Sequence, residues 1–159
     1  MQWSSEVNPY IYILLMSLAP GFEGRYAVVT ARALGLDAGH SIFVASLGVI
    51  ILSFLLPRAL PLADIVAESL IRRGWGPLAR IASLYLSYAE RARNRARPVV
   101  ERYGFLGLVV FVMIPLPLTG VWTGAIAAYL LGMRPWKAAL ALAVGGLLSI
   151  GIMSASFLH

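Results

Sequence analysis

A chain of 159 residues that is 60% hydrophobic and only 13% charged is not an ordinary soluble domain, in which about a quarter of the residues carry charge. Its net charge of +6 does not point to nucleic acid, because the cations concentrate in one connection between apolar segments, as in a cytoplasmic membrane loop. With no cysteine, a disulfide framework and thiolate metal sites are excluded. The composition predicts a single all-α integral membrane domain over residues 1–159.

The first apolar arm runs from Val7 to Ala19, with no cation before it to suggest a cleavable signal. Pro20 and Gly21 halt it, and a second short arm follows from Tyr26 to Leu36. Between them lies PGFEGR, so residues 7–36 read as a helical hairpin broken at Pro20, Gly21 and Gly24, with Glu23 and Arg25 inside the break. Residues 40–56 are apolar and just long enough to span, with Pro57 and Arg58 closing them at an interface.

Residues 58–102 form a basic amphipathic region expected in the cytoplasm. Leu62, Ile65 and Val66 mark one apolar helical stripe; Leu78, Ile81, Tyr85 and Tyr88 mark a second beyond the Gly74–Pro77 interruption. Arg91, Arg93, Arg95 and Arg97 then suit contact with inner-leaflet lipid headgroups. Residues 103–133 form the second hairpin, with arms Tyr103–Ile114 and Val121–Gly132 around a break containing Pro115, Pro117, Gly120 and Gly124. After Arg134 and Lys137, residues 138–158 give the second span, in which Gly145, Gly146 and Ser149 permit close helix contact.

Each hairpin arm has about 12 residues, or about 18 Å of helix, against a hydrocarbon core about 30 Å thick. Neither arm crosses alone, so each hairpin is expected to be re-entrant, its broken backbone facing protein or a water-filled cavity rather than lipid. An offset of 97 residues aligns Met16 with Met113, Pro20 with Pro117, Ala31 with Ala128, Gly35 with Gly132 and Gly48 with Gly145 without a gap. Two repeats follow, each a re-entrant hairpin plus one transmembrane helix. If the second hairpin dips in and returns, Arg134 and Lys137 are cytoplasmic, as the positive-inside rule requires. The repeats then have inverted topology, both termini lie outside the cytoplasmic membrane, and the two breaks meet near the bilayer centre across a polar pocket.

Glu23 is the sharpest candidate, since a carboxylate inside a membrane hairpin persists mainly where it pairs or titrates. It reads as a proton or cation site, with Arg25 or Arg32 holding an anionic group; the plainer reading is a structural ion pair. Thr119, Trp122 and Thr123 open the second returning arm, where unpaired amides and a positive dipole end favour an anionic headgroup or phosphate. A plain helix cap by Thr119 is the alternative. His40 and His159 have no ligand spacing around them, so no metal and no cofactor is expected. No nucleophile–base arrangement or nucleotide-binding motif is present, which argues against an enzyme.

PGFEGR and IPLPLTGVWTGAIAAYLLG resemble the two break motifs of the small multidrug export protein family. Glu23 and Arg25 match the first motif, with Gly24 in place of a usual leucine. Pro115, Leu116, Pro117, Thr119, Gly120, Trp122 and Gly124 match the second, while Leu118 and Val121 replace a usual glycine and alanine. The resemblance implies an integral membrane protein with an export role. More distantly, the paired charged breaks resemble the DedA and VTT-domain membrane proteins, which implies lipid-carrier or phospholipid translocation. The leading expectation is a proton- or ion-coupled transporter of an amphipathic or lipid-like substrate, bound between the breaks. A flippase for a phosphorylated lipid carrier and a non-transporting membrane scaffold are the alternatives. A homo-oligomer, a dimer first, is expected, because so small a chain encloses little alone.

Overall fold

The computed structural model describes residues 8–74, 76–116 and 119–155. Val7, Pro117, Leu118 and His159 lie outside the described residues. The described residues form six helices and no strand: α1 (Pro9–Leu18), α2 (Glu23–Ala33), α3 (Ala38–Arg72), α4 (Gly76–Met113), α5 (Val121–Leu130) and α6 (Pro135–Ala155). α3 and α6 are long and apolar enough to cross a membrane, and their outward faces carry Phe43, Leu47, Leu140 and Leu148 exposed.

Local chemistry sets the ends. Asn8 accepts a hydrogen bond from the Tyr10 amide ahead of Pro9, and Asp37 accepts one from the His40 amide at the start of α3. α2 and α5 stop in the same way. Gly35 and Gly132 take left-handed φ values of 71° and 73°, which glycine adopts without steric cost. Around them Leu36 N donates to Ala31 O and Met133 N to Ala128 O, both across five residues.

Two boundaries differ from the sequence expectation. The helix that carries the first span does not end at Leu56, because α3 continues through Pro57 and Pro61 to Arg72. Proline removes a backbone donor but need not stop a helix whose freed carbonyls find other partners. Here the helix is held by burial, since Leu56, Pro57 and Leu60 pack into the bundle, and the Arg58 guanidinium donates to Phe54 O at 2.8 Å beside the first proline. The arm expected from Tyr103 begins after Gly104, whose backbone (φ 56°, ψ −123°) divides α4 into limbs 76–103 and 105–113. Gly107 then passes so close to the Val99 carbonyl that a Cβ would lie 2.2 Å from it.

The packing sets each break against the interior of a long helix, away from its ends. The rings of Tyr10 and His40 lie 5.8 Å apart, so α1 starts beside the start of α3, while α2 ends where the chain enters α3. Ser17 packs on Gly48 at the other end of α1, eight residues beyond His40 and so about 12 Å along α3. In the second half, Gly104 and Phe105 share a groove with Leu131, Gly132, Arg134 and Lys137, which sets the start of one arm beside the end of the other. Val121 packs against Gly146, eleven residues beyond Pro135 and so about 16 Å along α6. Val49 touches Gly146, and Gly24 is wedged between Ala45 and Ile150. α3 and α6 therefore run antiparallel and meet where the first third of α3 crosses the middle of α6. The core, with Ile13, Ala27, Val49, Leu108, Val112, Val121, Ala125 and Leu142, surrounds that crossing.

Candidate functional site

Glu23 opens α2 with φ of 53°, the one non-glycine residue of positive φ among the described residues. A left-handed L-residue costs about 1–2 kcal/mol, so its surroundings must hold it there. They do so from the other half of the chain. Val121 N donates to Glu23 Oε2 at 3.0 Å and Trp122 N to Oε1 at 3.2 Å. These amides belong to the first turn of α5, where the helix has no acceptors of its own. Neither Gly120 nor any other neighbour caps that turn through a side chain of its own helix. The anion attracted to the start of α5 is thus the chain's own carboxylate.

The exchange runs both ways. Trp122 Nε1 donates to Leu18 O at 3.1 Å, satisfying one of the last carbonyls of α1. Arg25 Nη1 donates to Ile114 O at 3.1 Å and reaches Thr119 Oγ1 at 3.5 Å, while its Nη2 lies 3.7 Å from Glu23 Oε2. The guanidinium also stands over the Tyr26 ring, 5.2 Å from its centroid. Each break therefore supplies the partners that the backbone of the other has lost, as buried polar groups require. Glu23 and Arg25 are buried to about 95%.

The remaining candidates separate. Thr119 does not cap α5: its hydroxyl lies 2.7 Å from both Ile114 O and Leu116 O, donating to one at a time, and accepts from Leu116 N at 3.3 Å. It staples its own turn and receives Arg25. Thr123 is buried against α4, its Oγ1 2.7 Å from the Tyr88 hydroxyl. Tyr88 was legible only as one residue of an apolar stripe; its hydroxyl at the helix edge was the sole clue to this contact. Arg32 is exposed on the last turn of α2, nine residues and so about 13 Å of helix from Glu23, and does not join the cluster. Gly24, Pro20, Gly21 and Pro115 lie at the breaks as the sequence suggested, and Gly124 packs under Val112 and Leu142. A Cβ on Gly24 would stand 2.6 Å from Val49 and 2.7 Å from Ile150, so those two side chains leave no room for a larger residue there.

Among the described residues, one small cavity lies beside the Glu23–α5 contact. The cavity bounded by Glu23, Arg25, Val49, Val121, Gly146 and Ser149 has about 10 Å³, whereas sites for drug-sized ligands occupy roughly 300–1,000 Å³. A wider groove of about 370 Å³ opens at the far end of the second hairpin, with Arg134, Lys137 and Glu101 beside Phe105, Leu131 and Met133. In the arginine run, Arg93 lies 3.8 Å from Glu90 and Arg97 2.9 Å from Glu101, while Arg91 and Arg95 are exposed. Nearby, burial and then the Asp64 carboxylate push the Tyr85 hydroxyl up to about 12, so the limb 76–103 packs against the extension of α3. No group of metal-ligating side chains occurs among the described residues.

No curated protein and no solved structure matches the chain, and nothing in these comparisons ties it to the DedA and VTT-domain proteins. A family model described as "Putative small multi-drug export protein" matches residues 23–152, which begin at Glu23 just past Pro20 and Gly21 and include the second break, all of α3 and most of α6. Together with those helices, the match makes this a membrane protein. The chain belongs to the small multi-drug export protein family.

Proposed function

We propose that this chain is a proton- or ion-coupled exporter whose gate is the contact between its two helix breaks, and that Glu23 is the coupling group. The observation that carries the reading is the Glu23 carboxylate bound to both Val121 N and Trp122 N, across 98 and 99 residues of sequence. An ionised carboxylate accepts at both oxygens; a protonated one carries an O–H that faces an amide donor. Protonation also cancels its attraction to Arg25. Loading a proton therefore loosens the contact, and the small cavity beside Glu23 is what a closed gate leaves.

In this reading both hairpins are re-entrant and the halves are inverted repeats within one membrane domain. Several contacts support it as pairs related by the 97-residue offset. Gly24 packs on Val49 and Val121 on Gly146; α2 and α5 share one C-terminal hydrogen-bond pattern; and Arg25 donates to Ile114 O as Trp122 donates to Leu18 O, the donors 97 and the acceptors 96 residues apart. Arg58, Arg134 and Lys137 fall at one end of the antiparallel α3–α6 pair, which makes that end cytoplasmic and leaves the termini outside. The Arg91–Arg97 run then meets inner-leaflet headgroups.

The substrate is an amphiphile. Arg134 and Lys137 over the apolar wall of the wide groove favour an anionic head, a lipid phosphate included, as the group that first engages. Purified protein in liposomes tests the reading: proton-dependent movement of a fluorescent lipid phosphate or an amphiphilic drug, lost in Glu23→Gln while the fold persists, supports it. Equal transport by wild type and Glu23→Gln overturns the coupling role.

A further inference from the structure

The four buried serines among the described residues do not behave alike. Ser17, Ser41 and Ser53 each donate to a carbonyl of their own helix, at Leu14, Asp37 and Val49, the usual resort of a helical hydroxyl in an apolar interior. Ser149, 2% exposed in the middle of α6, has no partner for its Oγ. On the facing helix, Arg25 Nε is likewise buried without a partner. Both residues line the same cavity, with Glu23 as its third polar wall and Gly24, Val49, Val112, Val121 and Gly146 as the rest. A buried donor left without a partner forfeits its hydration with nothing in return.

A buried water is retained where it finds two to four polar partners and at least about 10–15 Å³ of room. The cavity has about 10 Å³, room for one water molecule and for no larger ligand. We infer that it holds a single water that accepts from Arg25 Nε, exchanges a hydrogen bond with Ser149 Oγ and donates to the Glu23 carboxylate. Ser149 thereby becomes a positioning residue that ties α6 to the contact between the breaks. The water completes the polar set: Arg25 is the one other charged residue at the cavity wall among the described residues, and both carboxylate oxygens retain lone pairs beyond the amides they already accept. The water site stands on this geometry alone; its use in adjusting Glu23 during transport rests on the exporter reading.

The test uses the full chain in lipid nanodiscs. A high-resolution density map of the wild type should contain one isolated peak within hydrogen-bond distance of Ser149 Oγ, Arg25 Nε and a Glu23 oxygen. An empty cavity with Ser149 Oγ turned back onto the Gly145 carbonyl overturns the inference. In a second arm, infrared difference spectra in normal and ¹⁸O-labelled water should show a sharp buried-water band that is lost in Ser149→Ala. The carboxylate band assigned by Glu23→Gln should shift in the same variant. A band unchanged by Ser149→Ala overturns the role of Ser149. Because neither readout is transport, a water found in a protein that moves no substrate removes the exporter reading and leaves the site. Coupled transport with a dry cavity does the reverse.

Discussion

The Glu23 carboxylate occupies the space that a side chain on Gly120 would need: a Cβ there would lie 1.6 Å from Oε2 and 2.2 Å from the carboxyl carbon. The glycine of one break is therefore shaped by the acid of the other. Gly120→Ala must expel the carboxylate from the α5 amides, leaving a buried charge and two bare donors, at a cost of about 3–5 kcal/mol. In a Glu23→Ala background the same substitution should cost less than about 1 kcal/mol. Thermal unfolding of the four proteins in detergent measures the difference.

Glu23→Gln keeps the shape but offers one acceptor oxygen where the carboxylate offers two, and sets an NH₂ against an amide donor. A loss of about 2–3 kcal/mol follows from one failed charge-assisted hydrogen bond. Arg25→Lys should lose a similar amount. A lysine cannot span Ile114 O and the carboxylate with separate nitrogens, as Arg25 does. Chemical denaturation monitored by tryptophan fluorescence checks both.

Trp122→Phe keeps an aromatic ring but removes the N–H that donates to Leu18 O, together with the five-membered ring that carries it. The cost should be about 1–2 kcal/mol. Trp122→Ala adds a cavity and should cost about 3–5 kcal/mol. Near-equal losses in the two variants would show that the hydrogen bond contributes most of what Trp122 does.

These contacts mark how far the sequence could be read. The arm lengths, the prolines and the 97-residue offset placed both breaks and both spans, because proline and glycine act on their own backbone and need no partner to be interpreted. Glu23, Arg25 and Trp122 stood out for the same reason: each is expensive or bulky at its depth. Their partners did not, since a backbone amide at Val121 or a carbonyl at Leu18 has no signature in the sequence. The run through Pro57 was misread because the buried packing that holds α3 together past it is tertiary. The bonds from Glu23, Arg25 and Trp122 to the opposite backbone were likewise not legible, because they depend on how the two hairpins are brought together.

Tyr88 and Thr123 join the basic limb of α4 to α5 through a single hydroxyl pair. Tyr88→Phe and Thr123→Val should each destabilise by about 1 kcal/mol, and the double variant by less than their sum, since one bond is shared. A double-mutant cycle in the thermal unfolding free energies measures the coupling.

At the other end, Asp37 is exposed and caps α3; the His40 backbone amide, and then its side chain, hold the Asp37 carboxyl below its ordinary value of 3.8. A depressed folded value means that the cap contributes fully above the unfolded value and is lost as pH falls through the folded one. Melting temperature should therefore fall on acidification below about pH 4 in the wild type, with a shallower fall in Asp37→Asn.

The meeting of the two breaks can be measured without any substrate. The chain has no cysteine, and the carboxyl carbon of Glu23 lies 2.2 Å from where a Cβ at position 120 would stand. Glu23→Cys combined with Gly120→Cys therefore sets two thiols within disulfide reach. Mild oxidation in native membranes should close a bond that joins the fragments after proteolysis in the 76–103 limb. Folded protein that stays uncrosslinked under the same oxidant would contradict the account.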